Sequence, residues 1–172
     1  MLKRESFMKA RNYRDVKGPA YTRKKYIRGS PQPKITKFSM GDSNVKYEYK
    51  AVLVAQEEVQ IRHNALEAVR ITVNRVLEAK LGTSYYLQVM PYPHTVLREN
   101  KMIFGAHADR LQQGMRKSFG KAIGTAARVR PNQPLIEVGI NANGLETAKT
   151  ALKRGQAKLP TTSRIVIEKT TD

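Results

Sequence analysis

The segment Gly114-Met-Arg-Lys-Ser-Phe-Gly-Lys-Ala122 sets two glycines and a lysine close to the spacing of a phosphate-binding loop. In such a loop the backbone N–H groups cradle the phosphates, the lysine reaches their outer oxygens, and a following Ser or Thr holds magnesium. Here five residues separate the glycines where the loop needs four, and Ala122 stands at the magnesium-binding position. The match fails. His107-Ala-Asp109 offers a metal one imidazole and one carboxylate, but His63 and His94 lie in other segments, and the chain has no cysteine. Thiolate metal sites and disulfides are therefore excluded. His63 reads as a residue that caps or flanks a helix, and His94 as a turn residue. Glu57, Glu58 and Glu67 are accounted for by helix electrostatics, not by acid–base chemistry. No catalytic residue, metal or cofactor follows from these groups.

What remains to carry function is positive charge. The 172 residues hold 32 Lys/Arg against 14 Asp/Glu, a net of +18. The excess is piled into two stretches: 12 cations against 2 acids in residues 1–40, and 7 against 1 in residues 101–130. Residues 41–100 balance at 7 against 7, and residues 131–172 at 6 against 4. A balanced middle can fold by itself. The cationic stretches repel themselves in water until a polyanion settles against them, and nucleic acid is the usual one. In the first stretch Lys9, Arg11, Arg14, Lys17, Arg23, Lys24, Lys25 and Arg28 can each neutralise a phosphate. Interleaved Phe7, Tyr13, Tyr21 and Tyr26 offer flat faces for bases or sugars. The second mixes Lys101, Arg110, Arg116, Lys117 and Lys121 with Met102, Phe104, Met115 and Phe119, more large apolar residues than a plain surface loop carries.

The elements that must position these groups follow from periodicity. Residues 1–34 form an extended arm punctuated by Gly18-Pro19, Gly29, Pro31 and Pro33, and residues 35–172 form one α+β domain with an inserted loop at 99–123. Strands are predicted near 35–38, at 47–55, 85–89, 95–98, 125–130, 135–140 and 164–168. Ala65, Leu66, Val69, Val73, Val76 and Leu77 mark a long helix with Glu57 and Glu58 at its start and Gly82 as its stop. A second helix begins with Asn143 as N-cap and ends near Gly155. The sum is a two-layer α+β fold, two helices on a mixed, mostly antiparallel sheet. The longest apolar run, Ala51–Ala55, is too short to span a bilayer. Charge at the N-terminus precedes any apolar stretch, which argues against a secretory signal.

Several of these segments together resemble the ribosomal large-subunit family called L-ten-e in archaea and eukaryotes, counterpart of bacterial L-sixteen. The resemblance rests on Arg11-Asn-Tyr-Arg14, on Tyr21-Thr-Arg-Lys-Lys-Tyr-Ile-Arg-Gly-Ser-Pro-Gln-Pro-Lys-Ile35 and on Ala65-Leu-Glu-Ala-Val-Arg-Ile71. Its most specific part is Ala108-Asp-Arg-Leu-Gln-Gln-Gly-Met-Arg116, followed by Phe119-Gly-Lys121 and Gly124-Thr-Ala-Ala-Arg-Val129. It implies a hammerhead-type fold on large-subunit rRNA, between the central protuberance and the stalk base. The arm, Arg128 and Arg130 would contact rRNA, and loop residues 101–121, His107 among them, would lie nearest tRNA. Implied partners are rRNA, tRNA and neighbouring ribosomal proteins, with no membrane, no obligate homo-oligomer and a cytoplasmic ribosomal location. The absence of cysteine and an end at Asp172 fit an archaeal-like member, and Ala122-Ile123 stands where eukaryotic members have Pro-Gln. The rival readings are a free RNA-binding chaperone and a nucleotide-dependent enzyme.

Overall fold

The computed structural model describes residues 13–14, 16, 25, 27–101 and 120–170. Among them nine strands and two helices follow in the order β1 (Tyr13–Arg14), β2 (Ser39–Gly41), β3 (Tyr49–Ala55), β4 (Val59–Arg62), α1 (His63–Leu81), β5 (Tyr86–Val89), β6 (Thr95–Glu99), β7 (Lys121–Val129), β8 (Pro134–Ile140), α2 (Leu145–Gln156) and β9 (Ser163–Lys169). The strands form two sheets, in the orders β1-β4-β7-β6 and β2-β5-β8-β3-β9. The fold is α+β, as the periodicities require. Every pairing is antiparallel, so the expected mixed sheet is corrected to two sheets, each wholly antiparallel among the described residues.

Both helices are held by apolar stripes. On α1, Ala65, Leu66, Val69, Val73 and Leu77 are buried; on α2, Ala148, Ala151, Leu152 and Gly155. They meet Ala51, Leu53 and Ala55 of β3, Leu87 and Val89 of β5, and Leu135, Ile136, Val138 and Ile140 of β8 in one core. Full burial of each Leu, Ile or Val stabilises by about 1.5–3 kcal/mol. Gly82 ends α1 with a φ of 60° and its N–H donated to the Glu78 carbonyl at 3.0 Å. Lys50 pairs with Glu137 across β3 and β8 at 2.6 Å, a partly exposed contact that contributes little. In the five-stranded sheet, β2 and β9 are the edges. The first is three residues long, and the second exposes Arg164, Ile167, Glu168 and Lys169.

Four local expectations are corrected. The long helix starts at His63, and Val59-Gln-Ile-Arg62 before it is a strand. Its alternation of buried and half-buried residues is a period of two, and it pairs with β7. Glu57 and Glu58 therefore sit in the connection from β3 to β4, away from any helix start, and Glu57 accepts a hydrogen bond from the Thr162 hydroxyl at 2.9 Å. Glu67 does lie on α1, paired with Arg70 at 2.8 Å. The strand expected at 35–38 forms at Ser39–Gly41 instead, and Ile35, 1 % exposed, enters the core from outside any strand, with Phe38 packed partly against the same core. Strand β7 begins at Lys121, four residues before the expected 125, so residues 121–123 belong to a ladder with β6 and not to the loop. Asn143 lies inside a 3-10 turn, Ala142–Gly144, and Gly144 holds the cap position of α2 without a side-chain bond.

The crossing of α1 and α2 depends on Gly155. A β-carbon there would lie 2.6 Å from Val73 Cγ2 and 3.2 Å from Val69 Cγ1. Replacing it by alanine adds about 1 kcal/mol of helix propensity but overpacks two stiff β-branched neighbours, at a cost of about 1–3 kcal/mol. Gly155→Ala is expected to lower the urea midpoint. A raised midpoint would show that the two helices are not clamped at this point.

Candidate nucleic-acid interface

The four-stranded sheet assembles the cations that the sequence scatters. Antiparallel pairing sets Arg14 opposite Gln60, and Gln60 opposite Arg128, so three strands contribute to one rung of the ladder. Arg62 lies two residues along β4, opposite Ala126. The opposite face of the same strands carries Val59, Ile61, Ala127 and Val129 into the core. Burial of that apolar face thus obliges β4 and β7 to turn their polar set the other way. Gln60 and Arg62 were missed by sequence reasoning because β4 was folded into the helix; the Val-Gln-Ile-Arg alternation is four residues long, too short to set against the helical stripe that follows it.

Among the described residues, two hydrogen bonds tie the N-terminal region to this part of the fold besides the β1–β4 pairing. The Arg128 guanidinium donates from Nη2 to the Val16 carbonyl at 2.8 Å. Further along, the Lys34 backbone N–H donates to His63 Nδ1 at 3.0 Å. His63 is buried at the junction of β4 and α1, and a β-carbon on Gly124 of β7 would come within 2.8 Å of its Nε2. The imidazole is thereby wedged between strand and incoming chain, in keeping with a histidine that flanks a helix. Burial lowers its pKa below the ordinary 6.5, and Arg62 and then Lys34 add to the shift by repelling the charged form.

The inserted segment has a defined root. Strands β6 and β7 form the two sides of a hairpin, with Glu99 opposite Lys121 and Arg98 opposite Ala122 across an irregularity in the ladder. Lys101 and Lys121 are exposed at that root, and the buried Nε of Arg98 has no hydrogen-bond partner among the described residues. Lys25, Arg28 and Arg130 are also exposed. Lys9, Arg11, Lys17, Arg23 and Lys24, and of the loop Met102, His107, Arg110, Met115, Arg116 and Lys117, lie outside the described residues. Tyr13 and Arg14 enter as backbone of β1. His94 directly precedes β6, after the Pro91-Tyr-Pro93 turn. No group of three His, Asp or Glu side chains gathers among the described residues, and no helix there is long and apolar enough to cross a membrane.

The described residues thus form a basic α+β scaffold with Arg14 and Arg128 on one sheet rung and a hairpin insertion. Residues 16–166 match the family model described as ribosomal protein L16p/L10e. The chain is similar to large ribosomal subunit protein uL16 of Staphylothermus marinus, 53% identical over 160 residues, covering 92% of each chain. It is similar also to uL16 of Hyperthermus butylicus, 54% identical over 149 residues and covering 86% of this chain and 83% of that one. With uL16 of Methanococcus maripaludis strain C5 the identity is 47% over 161 residues, 93% of each. The chain belongs to the ribosomal protein L16p/L10e family, whose members are structural and non-enzymatic.

The histidine wedge makes a prediction. The unfolded chain takes up a proton on His63 near pH 6.5, whereas the folded chain does so only at lower pH. In that window the unfolded state binds more protons, so stability contributed by His63 is lost as pH falls from 6.5 toward the folded value. His63→Asn is expected to cost about 1–3 kcal/mol near pH 7.5, by leaving the Lys34 N–H poorly paired in a half-filled site. Its deficit relative to the parent should shrink by pH 5.5. A deficit constant with pH in urea titrations would remove the imidazole from this role.

Proposed function

We propose that this chain is a structural constituent of the large ribosomal subunit that binds large-subunit rRNA and helps position tRNA near the peptidyl-transferase region. The observation that carries the reading is the clamp between Arg128 and Val16 on the rung shared by Arg14 and Gln60. In this reading it holds the root of a basic N-terminal arm (residues 1–34) to a domain at 35–172. The arm's other cations contact RNA phosphates in the same reading. Arg130 extends the same strand at the surface. The relatives named above are proteins of the large ribosomal subunit, which supports the placement.

In this reading the domain, of hammerhead type, meets rRNA through phosphates and shape, since the deep groove of helical RNA displays little sequence to a side chain. The insertion leaves from the β6–β7 root toward tRNA, with Lys101, Met102, His107, Arg110, Met115, Arg116 and Lys117, and Lys121 at the root, as its contact set. Neighbouring ribosomal proteins complete the surroundings on cytoplasmic ribosomes, and the protein is not an obligate homo-oligomer. Peptide-bond chemistry belongs to the RNA, so the protein supplies no general base.

Neutralising about eight phosphates gives a log–log salt slope on the order of −6 for affinity to an rRNA fragment. A filter-binding series with a slope near zero would rule the mechanism out. Deleting residues 103–117 is expected to leave the chain folded and able to join the subunit while weakening tRNA binding. Truncating residues 1–30 should chiefly impair assembly. Normal tRNA binding by subunits reconstituted with the loop-deleted chain would refute the assignment of the loop.

A further inference from the structure

Between β5 and β6 the chain alternates sharply: Met90, Tyr92 and His94 are exposed, while Pro91 and Pro93 are buried. Each proline fixes its own φ, and the His94 N–H donates to the Tyr92 carbonyl at 3.0 Å, closing a three-residue turn. The Met90 N–H is held by the Leu135 carbonyl at 3.0 Å, and the Val89 N–H by the Phe38 carbonyl at 2.8 Å. These backbone bonds bring Phe38 beside the turn. The Phe38 and Tyr92 rings lie 5.3 Å apart at 27°, and the Tyr92 and His94 rings 4.6 Å apart at 49°. Phe38 rests partly on the core. Tyr92 remains 43% exposed, Met90 remains 42% exposed, and the Tyr92 hydroxyl has no hydrogen-bond partner among the described residues.

A rigid pile of rings facing water has no folding purpose at its outer end. Burying Tyr92 in the core would stabilise the chain more, and two buried prolines hold it out instead. The charge on the segment that carries Phe38 selects the occupant. Arg28, Lys34 and Lys37 are exposed on the segment that delivers Phe38, and no Asp or Glu occurs between residues 16 and 41. An apolar protein partner would gain nothing from that cationic border, whereas a nucleotide matches both parts, its base to the rings and its phosphate to the cations.

We propose that Phe38, Tyr92 and His94 form a stacking platform for one unpaired RNA base, with Lys34 and Lys37 placed for the adjoining phosphates. The proposal rests on the RNA-binding reading and adds a base-contacting subsite outside the arm and the loop. The platform accepts a base that is splayed out of its helix, and any of the four bases offers the flat face it needs.

The test uses the full chain and two hexaribonucleotides of equal charge, one with 2-aminopurine at its centre and one abasic there. Stacking is expected to quench the 2-aminopurine fluorescence and to make the base-bearing probe the tighter binder. Tyr92→Ala should weaken binding of that probe by about 5- to 100-fold and relieve the quenching, with little change for the abasic probe. Tyr92→Phe should retain both effects. Because Tyr92 is a surface residue, matching melting curves will show that the variants fold. If the parent and Tyr92→Ala bind the base-bearing probe equally, the proposal is overturned. Persistent salt-dependent binding of both probes in that case would leave the RNA-binding reading standing without the platform. Failure of Tyr92→Ala to join the subunit, with unchanged probe affinity, would give the platform to a neighbouring protein and likewise overturn it.

Discussion

The pairing of β4 with β7 is the constraint on which the other arrangements depend. Four residues of β4 meet four of β7, from Val59 opposite Val129 to Arg62 opposite Ala126. Their apolar faces seal the core against α1. Their polar faces then have no choice of direction, because a strand alternates sides with every residue. The same ladder places β1 on the outer side of β4 and β6 on the far side of β7. One buried contact therefore decides where the N-terminal arm is tied and where the insertion departs. Slipping β4 by one residue against β7 would send Gln60 and Arg62 inward and Val59 and Ile61 outward, at a cost of several side-chain burials. The position of the charge is fixed by the hydrophobic effect.

Around that ladder, polar contacts act as local fasteners. Arg128 uses its guanidinium on a carbonyl of the chain itself, so this cation is structural as well as electrostatic. His63 accepts the Lys34 backbone N–H in a part-buried contact and so holds the incoming chain at the start of α1. On the other side of α1, Arg70 bridges Glu67 and the Met40 sulfur, at 2.8 Å and 2.7 Å, and so joins the helix to β2. Each is worth little beside the core, yet each lies where a chain segment with no apolar stripe must be held to a rigid one.

Much of this was legible in the sequence, and the reasons are physical. The stripe from Ala65 to Leu77 and the stop at Gly82 specify α1, because a 3.6-residue repeat of branched residues has only one way to bury itself. The β-branched runs of β3 and β8 were equally readable. Strand β4 was not: four residues directly before a helix carry too little alternation to separate from the helical stripe, and only the tertiary pairing with β7 decides it. Glycine at 124 disguised the start of β7. Its meaning is spatial, since the room it leaves is filled by His63 from a segment 61 residues earlier. The charge map pointed to the partner class. It could not show that Arg14 and Arg128, 114 positions apart, share a rung. The resemblance of Ala108–Arg116 and its neighbours to a known family supplied what periodicity could not.

The two edges of the five-stranded sheet bear on how such a chain survives before it finds its scaffold. An open sheet edge is a template for another copy. Here one edge is cut to three residues, and the other shows Arg164, Glu168 and Lys169 around the exposed Ile167. Desolvating those charges against a second identical strand would be costly. A newly made molecule, crowded among its own kind and carrying a net charge of +18, is thereby steered away from fibrillar self-pairing while it waits in solution.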